Sequence, residues 1–481
     1  MIKSRSVISR GSLIVWVISY LFFLTSLVNN FSASHDSIHY LNDIVKGKNL
    51  FHQHHLLYHF LANKWLLLWS GFGEDHYIIE SFTALWGSSA LTMVYLFLRR
   101  RFHHSSTTSG LGTAVVAFSY GVWFYSTNIE VYLPPLFFIL LCLYILTKKD
   151  LSKNDIWKIA VLHSLAILFH QVNILFAVVV LHYIIKNKMY QWLPTYIITG
   201  ILITGGMYFI TGWFIEGHNS FSAWIGWMQG YTVGHDYWQP PSIKTPLHVL
   251  TGFAHAFIGG HFIFQLPAVE QYLQNSFQSH GLKDEIFLSN NIDPLMAWTL
   301  TVVAVGLAIY LLVLIIKFIV RYKSIKVHYP VIDPLLITLL VYSAFFCFWM
   351  PEILEFWILQ MVLVWILLIG TMRIKPVIYI LPFVVFFINY LGSMRWLQDS
   401  KNDWYYNETQ KIERVVAPGD LIIVDNEWIL KDYLRYYTEA TIVATDEPDY
   451  DKAATDKLIE QRRLIGQKVF YYKDGLRDLV E

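Results

Sequence analysis

The sequence predicts an all-α polytopic membrane protein of about eleven transmembrane helices, with a small α/β domain at its C-terminal end. Three observations predict it. Hydrophobic residues make up 55% of the 481 positions and charged residues only 15%, where soluble chains carry about 25% charged. Apolar runs long enough to cross a bilayer core of about 30 Å recur along the first 392 residues. From about residue 399 that pattern stops, and short β-branched runs alternate with charged helical ones.

The expected spans are 11–31, 77–98, 109–126, 131–147, 156–170, 173–186, 191–215, 292–320, 331–349, 354–372 and 376–392. The first apolar run, Leu13 to Val28, follows Lys3, Arg5 and Arg10 and reads as a retained signal anchor. The segment 246–265 is apolar but rich in Gly and His, and reads as re-entrant or interfacial. Many of the 18 Trp and 30 Tyr fall near span ends, where amphipathic rings favour the membrane–water interface.

Lys and Arg concentrate on the cytoplasmic side of a membrane. With the N-terminus inside, the inner loops hold Lys3, Arg5, Arg10, Arg99, Arg100, Arg101, Lys148, Lys149, Lys153, Lys158, Lys186, Lys188, Lys317, Arg321, Lys323, Lys326, Arg373 and Lys375. The outer loops hold only Lys46, Lys48, Lys64, Lys244 and Lys283. This asymmetry predicts a cytoplasmic N-terminus, an extracytoplasmic C-terminus and large outer loops at 32–76 and 216–290. The predicted domains are therefore a transmembrane part, 1–395, and a soluble α/β part, 399–481. In the latter, strands are expected at Asp420 to Asp425, Thr441 to Thr445 and Lys468 to Tyr472, and helices at Trp428 to Tyr437 and 450–466.

Several function classes are excluded or disfavoured. A net charge of +1 gives no basic footprint for nucleic acid. Cys142 and Cys347 sit in apolar runs, which disfavours a disulfide framework or a thiolate metal site. There is no Gly-rich phosphate loop of the dinucleotide or P-loop type and no internal repeat.

The polar residues that need a reason gather on the expected outer side, because a charge near hydrocarbon costs at least a few kcal/mol. His35, Asp36 and His39 follow the first span; Asp36 is a candidate general base, or else Ser34 or Asp36 caps a helix from Ile38 to Val45. His52, His55 and His59 stand at helical spacing on one face, alongside His54 and Tyr58. They suit contacts to phosphate or sugar, and a divalent metal is conceivable on imidazoles although nothing indicates one; no cofactor is called for. Glu130, beside Tyr132, sits at the start of an apolar helix, where the helix dipole favours an acid; the sharper reading is a second carboxylate facing the same cavity as Asp36. His170 and Gln171 interrupt another apolar stretch, and Glu352 and Glu355 lie between two late spans.

An acidic residue in a large first outer loop (Asp36), a second between helices three and four (Glu130), about eleven spans and an outer C-terminal domain together resemble the GT-C superfamily. These are polyprenyl-phosphate-sugar-dependent glycosyltransferases, including protein O-mannosyltransferases and aminoarabinose transferases. The strings His54-His55-Leu56-Leu57-Tyr58, His170-Gln171-Val172-Asn173 and Pro351-Glu352…Glu355-Phe356-Trp357 also look like bacterial members. The resemblance covers about residues 10–395, and departs from the usual first-loop acidic pair in having Asp36-Ser37.

The resemblance implies an inverting glycosyltransferase of the inner membrane. Its donor would be a polyprenyl-phosphate sugar and its acceptor a lipid, glycan or protein on the outer face. Asp36 and Glu130 would be catalytic. His35, His39, His54, His55, Tyr58, Tyr132, His170, Gln171, Glu352 and Glu355 would bind substrate, with Asp36, Glu130 and His55 in one cavity. A transporter or flippase for a lipid-linked glycan, or a non-catalytic membrane partner, is the competing class. A haem or metal protein using His163, His170 and His182 ranks last.

Overall fold

The computed structural model describes residues 9–230, 237–276, 282–372, 376–447, 450–473 and 475–478. Lys3, Arg5, Arg373 and Lys375 of the charge pattern lie outside the described residues.

Among the described residues up to Leu397, the apolar runs form helices. Five helices among the described residues are long and apolar enough to cross a membrane: Asp75–Arg101, Tyr190–Ile215, Pro294–His328, Leu354–Thr371 and Val377–Leu397. Shorter apolar helices occupy Arg10–Leu24, Leu133–Leu146, Gln171–Lys186 and Ile332–Phe346. Ser106–Phe118, Tyr120–Ser126 and Lys153–Phe169 fill the two remaining expected positions. The helices Tyr190–Ile215 and Pro294–His328 leave Ile201, Leu202, Val302 and Val320 exposed. A helix apolar on its open face needs hydrocarbon around it, so this is the pattern of a multi-pass membrane protein. Pro294–His328 runs eight residues beyond the expected end at 320, because the polar stretch after it, up to Lys326, still contains good helix formers.

The chain divides into two compact units. The first is Met1–Leu27, Asn49–Gly260 and Trp298–Met394. Several of its buried polar side chains are tied to one another inside the bundle, where no water can serve them. Trp123 Nε1 donates to Ser26 Oγ (2.9 Å) and Trp365 Nε1 to Ser119 Oγ (2.9 Å). The Asn389 amide donates to the carbonyls of Phe118 and Phe257 at 2.7 and 2.9 Å, and its Oδ1 accepts from the Gly259 N–H at 3.0 Å. Asn389 thereby fixes the break at Ser119 and the end of helix Thr245–Phe257. That helix, 13 residues long, is too short to cross a bilayer. It lies close on the Pro351–Trp357 segment because Gly252 has no side chain: a Cβ there would stand 2.4 Å from the Pro351 carbonyl oxygen.

The second unit is Val28–Lys48, His261–Ala297 and Arg395–Glu481. Among the described residues its sheet has four strands, β1 (Leu421–Val424), β2 (Thr441–Ala444), β3 (Val469–Tyr472) and β4 (Leu476–Asp478), in the order β2-β1-β3-β4. β1 runs parallel to β2 and β3 in the register Leu421↔Thr441 and Leu421↔Val469, and β4 is antiparallel. Being central and covered on both faces, β1 is a continuous apolar run buried at every position. The crossover helices are Leu430–Tyr437 and Lys452–Leu464. The helix Ser37–Lys46 joins this unit: Asn42 donates to the Asp432 carbonyl (2.9 Å) and Lys46 to that of Arg435 (3.2 Å). The Asn30 amide donates to Asp284 (3.1 Å), whose other oxygen accepts from the Trp404 N–H (2.9 Å).

Candidate functional site

In the first unit a narrow cleft of about 40 Å3 opens at the ends of four helices. Tyr132, His170 and Glu355 line its polar part, and Leu136, Phe346 and Leu359 its apolar wall. Glu355 sits on the 3-10 turn Leu354–Trp357 that leads into an otherwise buried helix. Its carboxylate accepts two phenolic protons, from Tyr125 at 2.5 Å and from Tyr132 at 2.9 Å. Hydrogen bonds to a charged acceptor are the strong kind, so Glu355 is held in one orientation. The Tyr132 ring also faces His170, with centroids 5.1 Å apart.

The histidine segment reaches the same end of the bundle by a route that local spacing does not reveal. The Gln171 N–H donates to the His54 carbonyl (2.7 Å) and the Leu57 N–H to that of Leu168 (3.1 Å). These two bonds pin residues 54–57 onto the end of helix Lys153–Phe169. The expected helical face through His52, His55 and His59 is a correction: the segment is a series of turns, and helix begins only at Tyr58. The rings nevertheless pack together, His52 on His55 at 4.4 Å and nearly parallel, and His55 on His59 at 4.7 Å. Stacked rings present faces rather than lone pairs to each other. Among the described residues no three His, Cys, Asp or Glu are grouped so as to hold a metal ion. Burial, and then the neighbouring His52, hold the His54 imidazole down to about 2, and burial holds His55 well below the usual histidine range.

Glu130 is buried, and its Oε2 accepts from the Val131 N–H at 3.2 Å. The helix it was expected to begin starts at Leu133 with no acid in its first turn. The two prolines that follow Leu133 suit a first turn, where N–H groups have no helical partner, so the start is displaced past Glu130. The Tyr58 hydroxyl bonds with Thr83 Oγ1 (2.7 Å). Burial, aided by the charges of Glu130 and Glu80, raises that phenol and keeps it neutral. Glu352 takes both its hydrogen bonds from the Gln239 amide (2.7 and 2.9 Å), whose oxygen lies 3.1 Å from His248 Nδ1.

His35, Asp36 and His39 belong to the second unit. Helix Ser37–Lys46 starts at Ser37 rather than Ile38, and Asp36 does not cap it; the Ser34 hydroxyl accepts from the Ser37 N–H instead (3.3 Å). The Asp36 carboxylate accepts from the Tyr40 hydroxyl at 3.3 Å. Burial raises its pKa, and His39 opposes that rise. His39 lies 3.3 Å from Asp432 and 3.6 Å from Asp43. Its hydrogen bond to Asp432 lifts it above the usual histidine value, while burial holds His35 down to about 4. His35 occupies the left-handed region at φ 63°, a strained setting for a residue with a β-carbon, and its ring meets the exposed Trp428 edge-on at 5.3 Å.

No family model matches the chain, and no curated protein matches it. Among solved structures it is similar to ArnT from Cupriavidus metallidurans in the apo state, with 14% identity and a TM-score of 0.46 over 96% of this chain and 93% of that one. It is also similar to ArnT from the same organism bound to undecaprenyl phosphate, with 14% identity and a TM-score of 0.44 over 96% and 92%. At that distance the likeness lends no weight to any residue's role.

Tyr125, Gln239 and His248 were not among the sequence candidates. For Tyr125 a signal existed in its place at the end of an apolar run, five residues before Glu130. Gln239 and His248 meet Glu352 only through the fold.

Proposed function

We propose that this chain is an integral membrane glycosyltransferase that moves a sugar from a polyprenyl-phosphate donor to an acceptor on the extracytoplasmic face. The observation that carries the reading is the cleft of the first unit. A fixed carboxylate, phenols and an imidazole stand in a mostly apolar cleft between helices expected to span the membrane. A polar head and a long apolar chain on one donor molecule match that division. The resemblance of the Asp36 and Glu130 pattern to GT-C enzymes supports the same donor class.

In this reading a carboxylate takes the proton from an acceptor hydroxyl or amine, and the resemblance alone makes Asp36 the first candidate for it. The acceptor attacks the anomeric carbon, the bond from that carbon to the phosphate oxygen breaks, and the lipid phosphate leaves from the opposite face. The anomeric centre therefore inverts. Glu130 orients the reacting groups. His54, His55 and Tyr58 lie toward the donor phosphate, and Glu355 and Tyr132 toward the sugar. The N-terminus is cytoplasmic and the C-terminal residues extracytoplasmic.

The test gives purified protein a polyprenyl-phosphate sugar and follows free polyprenyl phosphate. Acceptor-dependent release is expected. Movement of the donor between leaflets of sealed vesicles, with no release, would establish transport instead.

A further inference from the structure

The first unit holds a second cavity, of about 170 Å3, where the end of helix Gln171–Lys186 meets the start of helix Ile332–Phe346. Lys186, Asn187 and Asp333 stand at its mouth; Val179, Pro334 and Ile337 form an apolar wall. The Asp333 carboxylate is shared. Lys186 Nζ lies 2.6 Å from one oxygen, and Lys326 Nζ lies 3.0 Å from the other, which also accepts from the Tyr322 hydroxyl at 3.2 Å. Two ammonium groups thus meet one carboxylate, leaving a surplus of one positive charge. Both lysine side chains stay nearly half exposed, at 47% and 44%. An ammonium carries three donors, so Asp333 leaves donors on each lysine directed elsewhere. Lys188 lies just past Lys186, and Arg321 and Lys323 precede Lys326 in helix Pro294–His328, so basic residues continue on both segments.

A ligand that suits this place carries an anionic head within reach of two lysines and an apolar part along Val179 and Ile337. Basic pockets between membrane helices at the Lys- and Arg-rich face bind acidic lipid head groups by this division of labour. We propose that the groove is a binding site for an anionic phospholipid, its phosphate held by Lys186 and Lys326 and one acyl chain lying on the apolar wall. In this role Asp333 is a competitor for the lysines, and it keeps them in place when no lipid is bound. The proposal is independent of the glycosyl-transfer reading, since none of these residues lies in the cleft of Tyr132 and Glu355.

Full-length protein in detergent, titrated with phosphatidylglycerol or phosphatidylcholine and followed by native mass spectrometry, tests it. Phosphatidylglycerol should bind selectively. Lys186→Gln should weaken that binding about 5-fold, and Lys186→Gln with Lys326→Gln roughly 25-fold. Asp333→Asn should tighten it, because both lysines are then released to the phosphate. A purely structural ion pair would give no gain in Asp333→Asn. Inorganic phosphate should not displace the lipid, since the apolar wall holds only the latter. Equal binding of phosphatidylcholine, wild-type binding in the double lysine variant, or full displacement by inorganic phosphate would each overturn the proposal. If the lysine variants fail to fold, Asp333→Asn decides alone, and unchanged or weaker phosphatidylglycerol binding overturns it.

Discussion

The Tyr132 hydroxyl donates a 2.9 Å hydrogen bond to Oε1 of Glu355, joining two segments 223 positions apart at the polar end of one cleft. With Tyr125 on the other oxygen, Glu355 is a preorganised acceptor, able to meet a sugar hydroxyl without reorganising. Glu355→Gln keeps the shape but turns one acceptor oxygen into a donor facing a phenol. Donor turnover should fall by about 10²-fold, as when a preorganised polar group at a reacting centre is lost. Tyr132→Phe, which leaves Tyr125 in place, should cost less. Turnover of purified variants on a polyprenyl-phosphate sugar checks both, and wild-type turnover in Glu355→Gln would remove Glu355 from the site.

Asp36 makes a prediction with a sign. As a base it works only when ionised, so activity should rise with pH through its pKa. Burial raises that value above the usual carboxylate range of about 4, and the acid limb of the rate profile should lie correspondingly high. The charge of His39 holds the value down, so His39→Gln should move the limb to still higher pH. Asp36→Asn should lower transfer by about 10²–10⁴-fold. An acid limb that does not move in His39→Gln would separate Asp36 from the proton transfer.

That the apolar runs form helices was legible, because bilayer thickness calls for about 20 apolar residues per crossing. Their lengths were not: only five of the described helices are long enough to cross, and the expected span 109–126 is broken at Ser119. β1 was legible for a similar reason: Leu421 to Val424 is a short β-branched run between polar turns. β4, three residues of mixed character at Leu476–Asp478, carries no such pattern. The contacts of the candidate site were not legible. Glu352 meets Gln239 across 113 positions, and no local periodicity encodes such a pairing. The turns at His52 to Leu57 were misread because three histidines happen to fall at a helical spacing. What orders that segment is a pair of distant backbone bonds to Gln171 and Leu168.

The same histidine segment should make the protein acid-sensitive. His54 and His55 are held far below the value of about 6.5 they would have in an unfolded chain. As pH falls below 6.5 the unfolded state takes up protons that the folded state refuses, so stability drops steadily with pH. Above 6.5 these groups are neutral in both states and contribute no slope. The melting temperature in detergent should therefore fall between pH 6.5 and 5. His54→Asn should flatten that fall, since the amide keeps a polar side chain of similar reach without the titration. An unchanged slope in His54→Asn would place the acid sensitivity elsewhere.

Gly252 offers a test of how helix Thr245–Phe257 is seated. A Cβ at this position would meet the Pro351 carbonyl oxygen at 2.4 Å and the Trp357 ring at 2.7 and 2.8 Å. The Trp357 indole is itself tied, donating to that same carbonyl at 2.8 Å, so it cannot swing aside without losing a buried hydrogen bond. Gly252→Ala should therefore cost about 1–3 kcal/mol, the usual penalty of overpacking a fitted interior, although alanine is the better helix former. Gly226, inside the helix Phe221–Gln229, has nothing within 4 Å of its virtual Cβ. There the propensity term acts alone, and Gly226→Ala should stabilise by up to about 1 kcal/mol. Thermal melting of the two variants in one detergent should move in opposite directions. Pro351 and Trp357 flank Glu352 and Glu355, so Gly252→Ala should also disturb the Gln239–Glu352 pairing and lower donor turnover, while Gly226→Ala leaves turnover unchanged. A Gly252→Ala protein that melts at or above the wild-type temperature would show that this helix is not seated against the Pro351–Trp357 segment.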